Sequence, residues 1–484
     1  MGFCNNEGLY YVGTESSEPE QITGQLLDTD DKTDKAAYAG YIAGQITYIT
    51  KNHKTIFYPE HINTQKETFT LYKKMVDSNN PQKERIEDGV LSYMISEDGS
   101  VVTCLKKEGN TLYQISVGKK EKVAEQVERF LVSKDGNIII YIDNAGSLYK
   151  KIKGKEIEKI CDLVTDVYTA PDMTRVYYLS KGNLYTKTDS RDQELIGSAV
   201  DKIYQFYDTN EMYYRKKSKE QVAGETYELY YCDGKKETML TNKLVYNQDG
   251  SKAFTSIAKD KPVAVYGTEE NVYITQRDKI STLDHNDVQN IVISDDGSLF
   301  YYLDSPFSGI LYKVQITDKE KQTSVEFDTE VNSIGSLLSG NQILYYKKEY
   351  TRDASSEPKL DMYVSKQMIG ENVLQYSYFE FDPDLKKLYF YTIDENQDLT
   401  LNVSDGRNVK KVAEKIILYE PLDRNRLLYL CNYKEEEFAG ELYVYSKGEV
   451  KRIEEKATFL FSIQESHTHW AISPFDVYHE KEIQ

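Results

Sequence analysis

One type of turn recurs along the whole chain, and its spacing is the feature that most restricts the fold. Turns of Asp, Asn or Gly type separate two apolar, strand-like runs eleven times, at intervals of 37 to 47 residues. Repeats of about forty residues that contain several short strands are typical of β-propellers. The turns centre on His53, Asp98, Asp135, Asp172, Asn210, Asp249, Asp296, Asn341, Asp384, Asn425 and Ser466.

The clearest repeat spans residues 127–161 and reads as four strands. Three turns separate these strands: one at Asp135 and Gly136, one at Asn144 to Gly146, and one at Gly154. Asp-Gly and Asn-containing turns tolerate the positive φ angles that tight hairpins require. The sequence therefore predicts an all-β chain in which each repeat is a four-stranded blade.

A second marker, a Leu-Tyr or similar pair, opens the third strand of most repeats. Tyr10 carries this marker without a turn before it, and Ser466 lies in a turn without a third strand after it. We therefore predict ten whole units and an eleventh blade that the N- and C-terminal segments complete together. Its predicted inner strands are Thr458–Ile463 and Trp470–Ile472, and its predicted outer strands are Leu9–Val12 and Gln21–Thr23.

Eleven blades exceed the four to eight of a single propeller ring, so the sequence predicts two rings. A shared closing blade requires one ring to be inserted into the other; two rings in tandem, with only apparent closure, are the alternative. The irregular stretch Thr275–Asp287 is the predicted position of one crossing between rings. The predicted division is 1–23 (outer strands of the closing blade), 24–44 (insertion or linker), 45–286 (units 1–6), 287–454 (units 7–10) and 455–484 (inner strands of the closing blade, and tail).

Charge and hydropathy exclude several classes of partner. The net charge of −19 repels phosphate backbones and anionic lipid surfaces, so nucleic acid is not an expected partner. No apolar run approaches the roughly 20 residues that span a bilayer, and the start lacks the pattern of a signal peptide. The chain begins almost directly in a strand, so we expect a segment upstream of it. Five dispersed cysteines without a C-x-x-C pair argue against a disulfide framework and a zinc site.

Enzyme signatures are largely absent from the sequence. It contains no nucleophile elbow, no H-E-x-x-H, no phosphate-binding loop and no Rossmann fingerprint, which disfavours an enzyme and predicts no cofactor. Carboxylates at equivalent first-hairpin turns are candidate ligand-binding groups, although Asp also occurs there to bind turn amides. These candidates are Asp98, Asp135, Asp172, Asp296 and Asp384. A metal site formed by His53, His467 and His469 is a further candidate, and three surface histidines are the alternative.

The block from Ser133 to Lys155 has the pattern SxDGxxxxY, followed by GxLY and GK. It resembles the TolB-like and WD40-like repeats of bacterial envelope propellers, in particular the Tyr- and Lys-rich propellers of low-GC Gram-positive bacteria. The resemblance implies an extracytoplasmic or cell-surface location. Trp470 is the only tryptophan, so the chain departs from WD40 repeats, which carry a repeated Trp-Asp pair.

The leading functional hypothesis is a non-enzymatic scaffold that binds a protein, peptide or glycan ligand at the cell envelope. Long loops on a rigid scaffold are the usual place for such contacts. A hydrolase or lyase that acts on carbohydrate or peptide, with carboxylates from several blades, is the first alternative. A structural spacer is the second. The sequence leaves the oligomeric state open.

Overall fold

The chain is an all-β propeller protein built from four-stranded antiparallel blades. The computed structural model describes residues 1–13, 18–27, 33–76, 82–218, 226–245, 255–268, 271–285, 288–304, 309–338, 341–347, 359–378, 388–393, 398–405, 408–422, 426–464, 470–471 and 473–475. These residues form two compact units. Unit 1 comprises residues 1–164, 171–173 and 415–484, and unit 2 comprises residues 165–170 and 174–414.

Unit 1 is built from both ends of the chain and contains five blades in its described part. Its strands before unit 2 are β1 (Gly2–Asn5), β2 (Gly8–Tyr11), β3 (Glu20–Thr23), β4 (Tyr48–Ile49), β5 (Thr55–Asn63), β6 (Thr68–Met75), β7 (Lys83–Ile95), β8 (Val101–Lys106), β9 (Thr111–Ser116), β10 (Lys119–Ala124), β11 (Val127–Val132), β12 (Ile138–Asp143), β13 (Leu148–Ile152) and β14 (Glu158–Cys161). Its strands after unit 2 are β39 (Ile416–Pro421), β40 (Arg426–Lys434), β41 (Ala439–Ser446) and β42 (Glu449–Phe461).

Unit 2 is one continuous insertion apart from residues 171–173, and its described strands form six blades. They are β15 (Val164–Thr169), β16 (Arg175–Ser180), β17 (Asn183–Thr188), β18 (Arg191–Gly197), β19 (Val200–Phe206), β20 (Met212–Lys217), β21 (Thr226–Cys232), β22 (Glu237–Val245), β23 (Thr255–Ile257), β24 (Val263–Gly267), β25 (Val272–Gln276), β26 (Lys279–Leu283), β27 (Gln289–Ile293), β28 (Leu299–Leu303), β29 (Leu311–Gln315), β30 (Lys321–Gln322), β31 (Ser324–Asp328), β32 (Val331–Leu338), β33 (Gln342–Lys347), β34 (Lys359–Val364), β35 (Gln367–Tyr378), β36 (Leu388–Ile393), β37 (Leu399–Ser404) and β38 (Val409–Glu414).

The predicted crossing within Thr275–Asp287 is wrong. Strands β25 and β26 pair there as a hairpin of one blade, with Gln276 facing Lys279. The chain instead enters unit 2 after Val164 and returns to unit 1 at Lys415. These connections are as short as those between blades of one unit, so the spacing of the turns does not reveal them.

The closing blade joins both ends of the chain, as the sequence predicts, but its strands are divided differently. Residues 457–461 of β42 form the inner strand, and β1, β2 and β3 follow outward, with Cys4 facing Phe459. The predicted inner strand at Trp470–Ile472 is therefore wrong. The Asn5 side chain accepts a hydrogen bond from Glu7 N at 2.8 Å and forms the first turn, so Gly2–Asn5 supplies the second strand.

The predicted insertion at 24–44 contains part of the helix α1 (Thr33–Ile46), which packs against β1, β5 and β42. Ile42 and Ile46 are buried on its inner face. Gly40 and Gly44 permit a close approach, because a Cβ at Gly44 would lie 3.1 Å from the Phe459 ring. Within the described part of the chain, no helix has both the length and the apolar character needed to cross a membrane.

The aromatic residues that mark the second and third strands form the sheet core. In the β11–β14 blade, Tyr141 stacks on Tyr149 with ring centroids 4.9 Å apart. The same stacked arrangement recurs between Tyr178 and Tyr185, at 5.6 Å. Paired aromatics on facing strands stabilise a sheet beyond the area they bury, so this marker reports packing.

Candidate functional site

The predicted turn carboxylates are bonded within their own hairpins. Asp98 Oδ1 accepts hydrogen bonds from Ser96 Oγ at 2.7 Å and from Ser100 N at 3.0 Å. The bond from Ser100 N, followed by that from Ser96, holds the pKa of Asp98 below its usual value. Asp135 and Asp296 have the same arrangement, with Ser133 and Asn137 and with Ser294 and Ser298. The structure therefore assigns these carboxylates a role in the turn, and a role in ligand binding stays a prediction.

The candidate aspartates do not all belong to one unit. Asp98 and Asp135 lie in neighbouring blades of unit 1, and their turns are joined by a hydrogen bond from Glu97 N to Lys134 O at 2.8 Å. Asp172 lies in the segment 171–173, which groups with unit 1, whereas Asp296 lies in unit 2. Asp384 is outside the described residues.

The predicted histidine site cannot be assembled from the described residues. His53 lies in an exposed turn with φ +57°, and its backbone N–H donates to Thr50 O at 2.7 Å. His467 and His469 are outside the described residues. In the part of the chain that the structure describes, no three His, Cys, Asp or Glu side chains form a group able to hold a metal ion.

A groove on unit 1, which sequence reasoning missed, combines an apolar floor with charged walls. We call it the Arg129 groove; its volume is about 360 Å³. Leu91, Leu105 and Val127 form the floor and are at most 7% exposed. The groove lies at the edge of the unit that carries the hairpins between second and third strands, because Asn110 and Asn144 line it.

An ion pair forms one border of the Arg129 groove. Lys107 Nζ lies 2.8 Å from Glu67 Oε2, and the two side chains are 50% and 30% exposed. Both residues also line a second depression of about 500 Å³, together with Lys66, Asp88 and Lys106. Because both side chains are partly exposed, their charges are accessible to a partner. Exposed pairs of this kind contribute only about 0–1 kcal/mol to stability.

The Arg129 side chain is held against an aromatic ring. Its guanidinium carbon lies 5.0 Å from the centroid of Trp470. The next residue, Ala471, forms an antiparallel bridge to β11 and donates its N–H to Phe130 O at 3.0 Å. An extended backbone is thus already paired along the free edge of this inner strand. A stacked arginine beside a strand edge that pairs with extended backbone is suited to recognising a peptide carbonyl or carboxylate.

One signal in the sequence could have found this groove. Trp470 is the only tryptophan of the chain. A residue type that occurs once cannot be part of the pattern that every blade requires. Departures from a structural repeat are better functional candidates than residues, such as the turn aspartates, that conform to it.

In unit 2 a buried carboxylate joins two neighbouring blades. Glu211 accepts hydrogen bonds from Arg277 Nε at 2.6 Å, from Thr209 Oγ1 at 2.8 Å and from the Tyr231 hydroxyl. Burial alone would raise the pKa of Glu211, but the bonds from Arg277, Tyr231 and Thr209 outweigh it and the pKa is lowered. Tyr213 donates to Pro262 O at 2.8 Å across the same boundary. These contacts account for the cluster as packing between blades.

Comparison with known proteins does not assign the chain to a family. No family model and no curated protein sequence matches the chain. Among solved structures, the chain is similar to the tricorn protease, at 14% identity over 93% of this chain and 52% of that one, with a TM-score of 0.31. This chain thus spans about half of that protease chain.

Two further solved structures show a similar level of likeness. One is PorZ, a surface component of the type-IX secretion system of Porphyromonas gingivalis, at 11% identity over 85% of this chain and 59% of that one, with a TM-score of 0.28. The other is the Swd1 β-propeller domain of Myceliophteria thermophila, at 9% identity over 54% of this chain and 94% of that one, with a TM-score of 0.29. The fold assignment for this chain rests on its own strand pairing.

Proposed function

We propose that the chain is a non-enzymatic binding scaffold that holds an extended peptide segment of a protein partner in the Arg129 groove. The observation that carries the proposal is the apolar floor beside a stacked Arg129 and an inner strand edge that already pairs with extended backbone. The resemblance of the repeats to envelope propellers supports a location outside the cytoplasm.

The chemistry of the groove favours a peptide over a glycan. Sugars bind proteins largely by stacking on open aromatic faces, whereas one face of Trp470 is covered by Arg129. The floor of Leu91, Leu105 and Val127 suits an aliphatic side chain, and Arg129 suits a neighbouring carbonyl or carboxylate. Apolar pockets with a few convergent polar groups are the usual form of such recognition sites.

A displayed library of random peptides, panned against the whole chain, tests the proposal. An enriched peptide is labelled and titrated by fluorescence anisotropy with the wild type and with Arg129→Ala. Loss of a stacked arginine anchor is expected to weaken binding about 30-fold, or about 2 kcal/mol. Arg129→Lys keeps the charge but loses the planar stacking, so its affinity should lie between the two.

Arg452→Ala is the matched control, because Arg452 is an exposed arginine on β42 that pairs with Glu455 and does not line the groove. It should bind the peptide as the wild type does. Enriched peptides that bind Arg129→Ala as tightly as the wild type, or a panel with no enrichment at all, would contradict the proposal. If glycans bound the groove and peptides did not, the assignment of a peptide ligand would be wrong.

A further inference from the structure

Unit 1 carries a further groove, distinct from the two depressions described above. It lies at the other edge of the unit, where the first hairpins and the hairpins between third and fourth strands lie. Its volume is about 590 Å³, and it runs between the β9–β10 hairpin of one blade and the β13–β14 hairpin of the next. Four lysines and two glutamates line it: Lys119, Lys151, Lys153, Lys155, Glu121 and Glu156. We call it the lysine groove.

Two of the four ammonium groups are held by the protein itself. Lys119 Nζ lies 2.8 Å from Glu121 Oε2, and Lys151 Nζ lies 3.7 Å from Glu121 Oε1. Lys151 also donates to the carbonyl of Lys155 at 2.6 Å, which fixes its side chain along the floor at 19% exposure. Glu121 is therefore shared by two cations, and its pKa is lowered, first by the hydrogen bond from Lys119.

The other two lysines supply the uncompensated charge. Lys153 and Lys155 are exposed on either side of Gly154, at the tip of the β13–β14 hairpin. Among the described residues, neither has an acidic side chain within salt-bridge distance. The groove thus has an excess of positive charge on a chain whose net charge is −19. At physiological salt the repulsion from distant acidic residues is screened beyond about 8 Å, so a bound anion experiences mainly these lysines.

We propose that the lysine groove binds an acidic, Asp- or Glu-rich peptide segment of a partner protein. The site is independent of the Arg129 groove and goes beyond the function proposed above. Glu121 and Glu156 in its walls disfavour a polyanion with charge at every unit, such as polyphosphate, but suit a peptide whose carboxylates alternate with other side chains. The cations are lysines, which attract carboxylates as flexible point charges, and the described residues that line the groove include no arginine, whose planar fork phosphate prefers.

Titration of the whole chain with a labelled peptide of alternating Glu and Ser tests the inference. Fluorescence anisotropy should show binding that weakens as ionic strength rises from about 0.01 to about 0.15 M, because the Debye length falls from about 30 to about 8 Å. The double variant Lys153→Glu/Lys155→Glu should weaken binding at least about ten-fold. Both side chains are exposed, so its circular dichroism and thermal unfolding should match the wild type.

The control is Lys410→Glu/Lys411→Glu on β38 of unit 2, which changes the net charge by the same amount at residues outside the groove. It should bind the peptide as the wild type does, and so should Arg129→Ala. Equal weakening in the Lys410/Lys411 variant would show that binding follows net charge, and would overturn the inference. Polyphosphate that competes more strongly than the Glu-Ser peptide at Lys153 and Lys155 would overturn the assignment of a peptide ligand.

Discussion

In unit 1 most charged side chains of the two grooves face solvent, whereas in unit 2 the carboxylates of Glu211 and Asp328 are enclosed between strands. Lys107 and Lys119 of the grooves are 50% and 70% exposed. In unit 2 the acidic side chains of Glu211 and Asp328 are 9% and 18% exposed. The same repeat therefore carries two kinds of charged pair: pairs open to water, for which we propose recognition, and enclosed pairs that hold strands together.

The buried pairs of unit 2 follow a common plan. Lys347 Nζ lies 2.8 Å from Asp328, whose other oxygen accepts the Tyr345 hydroxyl. Lys216 and the Tyr214 hydroxyl contact Glu237 in the same way. The described part of unit 1 also contains enclosed carboxylates: Glu87 pairs with Lys106 at 2.8 Å, and Glu60 pairs with Lys83 at 2.6 Å. A lysine and a tyrosine that share one enclosed carboxylate already pair with both of its oxygens, which is why such residues are poor functional candidates.

The largest expected effect concerns a glycine in the first hairpin that packs against the preceding blade, a type of contact that occurs within each unit. Gly136 has φ +72°, and a Cβ there would lie 2.7 Å from the Cβ of Val101 in the preceding blade. Gly136→Ala should reduce the free energy of unfolding by about 3 kcal/mol, because backbone strain of about 1 kcal/mol adds to overpacking of about 2 kcal/mol. Urea titration followed by tyrosine fluorescence measures the change.

Two matched variants sharpen this prediction. Gly297 of unit 2 has φ +64°, and its Cβ would lie 2.7 Å from Val263 Cβ, so Gly297→Ala should cost as much as Gly136→Ala. Gly154 has φ +79° but nothing within 4 Å of its Cβ position, so Gly154→Ala should cost only about 1 kcal/mol. Equal costs at Gly136 and Gly154 would show that blade-to-blade contact at the hairpin is unimportant.

The next effect separates buried from exposed charge. Arg277→Ala leaves the Glu211 carboxylate without its cation and should cost about 2 kcal/mol at neutral pH, a value reduced because Arg277 itself is 62% exposed. Lys107→Ala removes the exposed pair with Glu67 and should cost no more than about 0.5 kcal/mol. Similar costs for the two variants, measured by urea titration, would remove the contrast between the units.

The Arg277→Ala variant also has a predicted pH dependence. In the wild type the pKa of Glu211 is lowered from 4.5, so its stabilising contribution is complete above that pH and is lost as the pH falls through the folded pKa. In the variant, protonation of Glu211 removes an enclosed charge that lacks a cation, so the folded state of the variant becomes more stable at lower pH. The difference in unfolding free energy between wild type and variant should therefore shrink as the pH is lowered from 7 toward about 4.

The smallest effect concerns the turn aspartates. Asp98→Ala removes the acceptor for Ser96 Oγ and Ser100 N, and in this exposed turn it should cost about 1 kcal/mol. The pKa of Asp98 is lowered from 3.8, so this contribution is present above pH 3.8 and is lost below it. Binding of the enriched peptide should be unchanged in Asp98→Ala. A weaker affinity would restore the turn carboxylates as ligand-binding residues.

The sequence predicts the architecture more fully than the sites. Turn spacing and the Leu-Tyr marker predict the eleven blades and the shared closure, because each blade needs the same hairpins and the same stacked aromatics. The crossings after Val164 and before Lys415 escape prediction, because the connecting segments are no longer than those within a unit. The Arg129 groove could not be predicted, because its residues come from three blades and the C-terminal segment and therefore form no local sequence motif.

The closing blade is the central claim, because it makes unit 1 a single body built from both ends of the chain. Cys4 of β1 faces Phe459 of β42, so refolding of the Phe459→Cys variant with oxidised and reduced glutathione should join Cys4 to the introduced thiol in a disulfide, detected by peptide mapping under non-reducing conditions. Leu460→Cys, which faces Phe3, should not form a disulfide with Cys4. No disulfide in Phe459→Cys, or equal yields in the two variants, would contradict the pairing of the two chain ends.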